Sequence, residues 1–135
     1  MTQPARGIRN RNPGNIRRSK DRWKGLAASQ TDPAFFVFEA PIWGIRAMAV
    51  ILRNYQRRHG LKTPAQIIGR WAPTAENDIG AYIRAVAGAI HVSPRAALDL
   101  EEGSTLRNLI AAIIRHENGV QPYDVDTIDT AIDLA

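Results

Sequence analysis

The chain has 135 residues, 44% of them apolar and 23% charged, a composition that suits one globular domain and excludes both a disordered polymer and two independent cores. It has no cysteine, which excludes disulfide frameworks, thiolate nucleophiles, cysteine zinc sites and iron–sulfur clusters. The net charge of +5 is unevenly spread: residues 1–24 carry eight basic side chains against the single acid Asp21, and residues 123–135 carry four acids and no base.

Residues 1–34 are rich in Gly, Pro, Asn and Arg and lack helical periodicity, so they read as basic loop with at most a short hairpin. Phe35 to Phe38 is too short and too apolar for a helix and reads as one short strand. Pro41 stands where a first helical position would be, Ile45, Met48, Ala49 and Leu52 follow at helical spacing, and Gly60 stops the run, which predicts a helix over 41–59. Thr63-Pro64 opens a short helix with Ile67, Ile68 and Trp71, ended by Pro73. Asn77 or Asp78 caps the next, whose inner face holds Ile79, Tyr82, Ile83, Val86 and Ile90. Ser93-Pro94 starts a further short helical turn. Ser104 caps a regular helix over 105–117, and Asp124 or Asp126 caps a last one with Val125, Ile128 and Ile132. The class is mainly α, in one domain over 1–135, with a small β or loop element near the N-terminus. No apolar run approaches the ~20 residues of a membrane span, and the first residues lack the apolar core of a secretory signal peptide.

Glu117 lies four residues after Ile113 and seven after Ile110, which puts a carboxylate on the apolar stripe of the 105–117 helix. Burial and the negative end of the helix dipole both favour its protonated form, the state a general acid needs. Pairing with an arginine or capping a loop is the structural alternative. Asn12, Asn15 and Arg17 belong to a tight polar loop around Pro13-Gly14, and Trp23 follows. Asparagine amides suit sugar hydroxyls and N-acetyl groups, and an exposed indole can stack on a sugar face. A solvated basic turn with a core tryptophan explains the same residues. Glu76, Asn77 and Asp78 cluster before Tyr82, although capping accounts for Asn77 or Asp78 and core packing for Tyr82. His59, His91 and His116 show no metal-ligand spacing, no phosphate loop or nucleophile elbow is present, and neither metal nor cofactor is expected.

The run Arg6-Gly7-Ile8-Arg9-Asn10-x-Asn12-Pro13-Gly14-Asn15-Ile16-Arg17, with Trp23-x-Gly25, Phe38-x-x-Pro41-x-x-Gly44-Ile45-Arg46-Ala47, Arg70-Trp71-Ala72-Pro73-x-x-Glu76-Asn77-Asp78, Ala81-Tyr82-Ile83 and Arg115-His116-Glu117-Asn118-Gly119, resembles a bacteriophage and prophage virion protein family. That family is regarded as related to lysozyme-like lytic transglycosylases, and the resemblance spans Arg6 to Tyr123. The helix ending in Glu117-Asn118-Gly119 is also similar to the catalytic-Glu helix of lysozyme-like glucosaminidases, with Asn118 in place of their usual Ser. In those enzymes the Asn-x-x-x-Ile-Lys and Trp-x-Gly stretches follow the Glu helix. Here the matching stretches precede it, which implies a circular permutation.

The resemblance implies a lysozyme-like domain that cleaves peptidoglycan between N-acetylmuramic acid and N-acetylglucosamine, as a lytic transglycosylase or a muramidase. Glu117 would be the acid/base, and Asn12, Asn15, Arg17, Trp23, Glu76, Asn77, Asp78, Tyr82, His116 and Asn118 would bind substrate. A hydrolase needs a second carboxylate, for which Glu39, Glu76 and Asp78 are the candidates. The expected setting is a monomer, carried in the phage virion among other virion components or released from the cytoplasm to the cell wall. The alternative is an inactive virion structural or nucleic-acid-binding protein, to which the basic front end lends phosphate contacts.

Overall fold

A computed structural model describes residues 3–72 and 78–135. Six helices are found among them: α1 (Arg6–Arg9), α2 (Pro41–His59), α3 (Pro64–Trp71), α4 (Ile79–Ala89), α5 (Gly103–Asn118) and α6 (Val125–Asp133). The class is therefore mainly α, and no helix among the described residues is long and apolar enough to cross a membrane.

The helix signals act as their chemistry dictates. Pro41 begins α2, and Gly60 ends it in the left-handed region at φ 65°. Thr63 and Gln66 form a reciprocal capping box on α3. Asp78 caps α4 through the Ala81 amide, and Asp124 caps α6 through the Thr127 amide. Two expectations need correction. Ser93-Pro94 starts no helix: the Ser93 hydroxyl accepts from the Arg95 amide and the segment remains a turn. Ser104 does not cap α5, which begins one residue earlier; Glu102 takes the cap position, and its carboxylate accepts from the Ser104 and Thr105 hydroxyls.

Helix α5 is the hub. It touches α1, α2, α4 and α6, and buries Leu106, Leu109, Ile110, Ala112, Ile113 and Ile114. Each of these leucines and isoleucines contributes about 1.5–3 kcal/mol relative to exposure. Helix α2 brings Ile45, Met48, Ala49 and Leu52 to the same core, α4 adds Tyr82 and Val86, and α6 closes it with Ile128, Ala131 and Ile132.

The front segment is a looped layer against α2. Phe35 to Phe38 forms no strand; single antiparallel bridges join Arg17 to Phe35 and Leu26 to Phe38. The Gln30 side chain takes up both the amide and the carbonyl of Val37, so a side chain does what a neighbouring strand would do. Phe36, Phe38 and Ala47 make a second small core, with Trp23 and Trp43 packed against it. Helix α1, four residues within a stretch that reads as loop, packs on α5.

Candidate active site

The end of α5 meets the 12–17 loop. Asn12 organises that loop. It is fully buried, its amide donates to the Ile16 and Phe36 carbonyls at 3.0 and 2.9 Å, and its Oδ1 accepts from the Ile16 amide at 3.0 Å. The tight turn places Asn15 in the left-handed region at φ 50°, which asparagine tolerates better than most residues. Asn118 ties the helix end to the same loop, donating to the Pro13 carbonyl at 2.8 Å and to the Ile114 carbonyl one turn back.

Glu117 is half-buried between these elements. Asn15 Nδ2 donates to its Oε1 at 2.8 Å, across 102 residues of sequence. The Tyr82 hydroxyl, from α4, donates to its Oε2 at 2.7 Å. Burial, reinforced by the charge of Glu117, pushes the Tyr82 hydroxyl far above its ordinary value, which keeps it a phenol and a donor. Neither partner of Glu117 is charged, so among the described residues the carboxylate is fixed in direction by neutral hydrogen bonds and no ion pair.

A cavity of about 280 Å³ opens beside this carboxylate. Its walls are the Gly14–Arg17 backbone turn, Phe35, Ile51 and Tyr55 of α2, and Trp71 with Ala72 at the end of α3. Glu117 is the only acid lining it among the described residues. Tyr55 and Trp71 meet edge to face with centroids 6.4 Å apart, and Arg17 lies 5.0 Å over the Phe35 ring. An aromatic wall, a few polar groups and one aimed carboxylate are the usual composition of a small-ligand site.

The predicted site residues divide accordingly. Glu117 is touched by both Asn15 and Tyr82, and Arg17 shares the cavity that Asn15 and Glu117 line. Asn118 lies behind them as a tether, and the exposed His116 ring stacks on Tyr82 at 3.9 Å between centroids. Asn12 is corrected: with no exposed surface and both ends of its amide used internally, it shapes the loop and meets no ligand. Trp23 lies outside the Glu117 cavity and lines a neighbouring depression, and Asp78 is exposed and occupied as the α4 cap. Glu76 and Asn77 lie outside the described residues. Sequence reasoning missed Phe35, Tyr55 and Trp71 as cavity walls, because an aromatic at a half-buried position carries the same signal whether it faces a core or a cleft. No group of three or more His, Asp or Glu side chains among the described residues is placed to hold a metal ion.

The sequence matches no protein-family model. It is 41% identical over 131 residues to Protein P5 of Pseudoalteromonas phage PM2, an alignment that spans 95% of this chain and 80% of that protein. Identity at that level over nearly the whole chain means that the protein belongs to the family of the phage PM2 Protein P5.

Proposed function

We propose that the protein is a virion-borne, lysozyme-like enzyme that cleaves the β-1,4 bond between N-acetylmuramic acid and N-acetylglucosamine in peptidoglycan, by the lytic transglycosylase route. The observation that carries this reading is Glu117 itself: a carboxylate at the wall of a cavity, held by the neutral donors Asn15 and Tyr82 and not consumed by an arginine. Membership of a phage protein family supports the virion setting. The contact between Asn15 and Glu117 supports a permuted lysozyme-like arrangement, in which the polar front loop serves the Glu helix from the other end of the chain.

In this mechanism Glu117 gives its proton to the glycosidic oxygen as the bond to the muramoyl C1 breaks. It then takes the proton of the muramoyl 6-hydroxyl as that oxygen bonds to C1, which closes a 1,6-anhydro ring and returns Glu117 to its starting state. No second carboxylate is required. A hydrolase would place one ~5–5.5 Å from the acid if retaining, or ~6.5–9.5 Å if inverting. Neither Glu39 nor Asp78 lines the cavity, and the third candidate, Glu76, lies outside the described residues, so the glycan ends decide between internal transfer and hydrolysis. Digestion of purified sacculi followed by analysis of the glycan ends tests the route. Anhydro-muramic ends are expected, and reducing muramic ends would assign a hydrolase.

The second reading, a virion structural or nucleic-acid-binding protein without activity, has one observation in its favour: Arg18, Lys20, Arg22 and Lys24 are all exposed along one segment. Sequence-selective DNA binding at physiological salt, with sacculi left intact, would favour it.

A further inference from the structure

The Glu117 cavity has a neighbour at Tyr55. Ile51 and Tyr55, one turn apart on α2, line that cavity and also line a second depression of about 370 Å³. The two adjoin along this stretch of α2. The far compartment is built from Trp23 and Asn54 with three basic groups, Arg22, Arg58 and His59, against the single acid Asp21.

Its arginines are available. Elsewhere on α2, Arg57 is held by Glu101 in a two-point ion pair, and Arg53 donates to the Leu100 carbonyl. Among the described residues, the side chains of Arg22 and Arg58 make no hydrogen bond or ion pair. Asp21 is engaged by the Ser19 hydroxyl at 3.0 Å and neutralises neither of them. The Trp23 indole nitrogen, on the same wall, is buried without a partner. Two unspent guanidiniums beside aromatic side chains suit a carboxylate on a short organic stem: guanidinium forks take carboxylate oxygens in pairs, while the rings pack the stem.

We propose that this compartment is a carboxylate subsite adjoining the Glu117 cavity, in which Arg22 and Arg58 bind the acidic peptide branch that peptidoglycan carries on its muramic acid. The proposal rests on the glycan-cleavage reading for the identity of the polymer. It predicts that cleavage prefers branched over unbranched strands, because the branch carries its carboxylates out along a peptide stem, whereas a strand stripped by an amidase keeps only the lactyl carboxylate held against the muramic ring.

The test compares peptide-bearing glycan strands with strands stripped of peptide by an amidase, using the intact protein and its Arg22→Gln/Arg58→Gln form. The natural protein should favour branched strands by about tenfold or more in kcat/KM, through KM, and the double variant should lose that preference. Equal weakening on both substrates, or an unchanged preference, would overturn the subsite. A binding arm separates this from failure of cleavage itself: calorimetry of a soluble muropeptide against Glu117→Gln, with and without the two arginine changes. Muropeptide binding that disappears with the arginines supports the subsite even if no strand is ever cut. A short duplex DNA that binds more tightly than the muropeptide, with the same arginine dependence, would assign the compartment to phosphates and overturn the proposal.

Discussion

Gly7 is the position where a single methyl group should test the architecture of the site. A Cβ built there meets Asn118 Oδ1 at 2.5 Å, the Asn12 carbonyl at 2.9 Å and Asn15 Oδ1 at 2.9 Å. Those two amide oxygens are buried and accept no hydrogen bond, so they rest directly on the glycine. In Gly7→Ala each must retreat by roughly 0.5–1 Å to reach ordinary contact distance. Asn118 cannot move without leaving the Pro13 carbonyl, and Asn15 cannot move without drawing its Nδ2 away from Glu117. Overpacking of this kind costs about 1–3 kcal/mol, which for a domain of this length lowers the melting temperature by about 3–5 °C per kcal/mol. A misplacement approaching 1 Å at a catalytic group can cost about 100-fold in rate. Gly69→Ala is the control. It lies within α3 with nothing inside 4 Å of the added methyl, so helix propensity should raise stability by about 0.5–1 kcal/mol. Thermal unfolding and sacculus cleavage, measured on both variants, check the reasoning. A Gly7→Ala protein with natural stability and natural rate would refute the close packing of the two asparagines on α1.

Three further outcomes follow from the same geometry. Tyr82→Phe removes the donor to Glu117, so cleavage should fall about tenfold or more and stability by about 1–3 kcal/mol. Because the Tyr82 pKa is raised on folding, its contribution is complete below the unfolded value near pH 10 and is lost as pH rises beyond it; alkaline unfolding curves should therefore be shallower for Tyr82→Phe than for the natural protein. Asp32 is held below its ordinary value by the Ala34 amide first, then by Asn10, with the Phe35 amide and Arg6 adding to it, so its contribution is present above about pH 4 and lost as pH falls through the depressed value; Asp32→Asn should flatten acid unfolding in that window. Lys20→Gln/Lys24→Gln should weaken sacculus binding most at low salt, with the difference fading as the screening length shrinks from ~10 Å at 0.1 M to ~3 Å at 1 M; a pull-down across a salt series reads it.

Much of the helical frame is legible in the sequence because each end carries its own chemistry. Pro41, Gly60, the Thr63–Gln66 pair, Asp78 and Asp124 all act locally, within four residues of the backbone groups they satisfy. Helix α1 was not legible, since its four residues have no apolar period and Gly7 is held against the following loop's Asn12 and Asn15 and the sequence-distant Asn118. The Ser104 cap failed because Glu102 offers an acceptor two residues earlier and draws both following hydroxyls to itself. The apolar register put Tyr82 inside the protein, but the direction of its hydroxyl depends on the meeting of α4 with α5 and has no local signature. The same holds for Asn15, whose contact with Glu117 spans the chain; only the family resemblance brought the two together. Asn12 shows the converse: a polar side chain in a polar loop reads as ligand-facing, yet the loop closes around it because its amide replaces backbone partners that the turn cannot supply.

The central claim is that Glu117 carries the chemistry, and loss of turbidity by purified sacculi tests it most directly. Glu117→Gln retains the shape of the side chain and an oxygen for the Tyr82 or Asn15 donor while removing the titratable proton. The natural protein should clear sacculi, and Glu117→Gln should do so at least ~100-fold more slowly, with an unchanged or raised melting temperature. A folded Glu117→Gln protein that clears sacculi at close to the natural rate would contradict it.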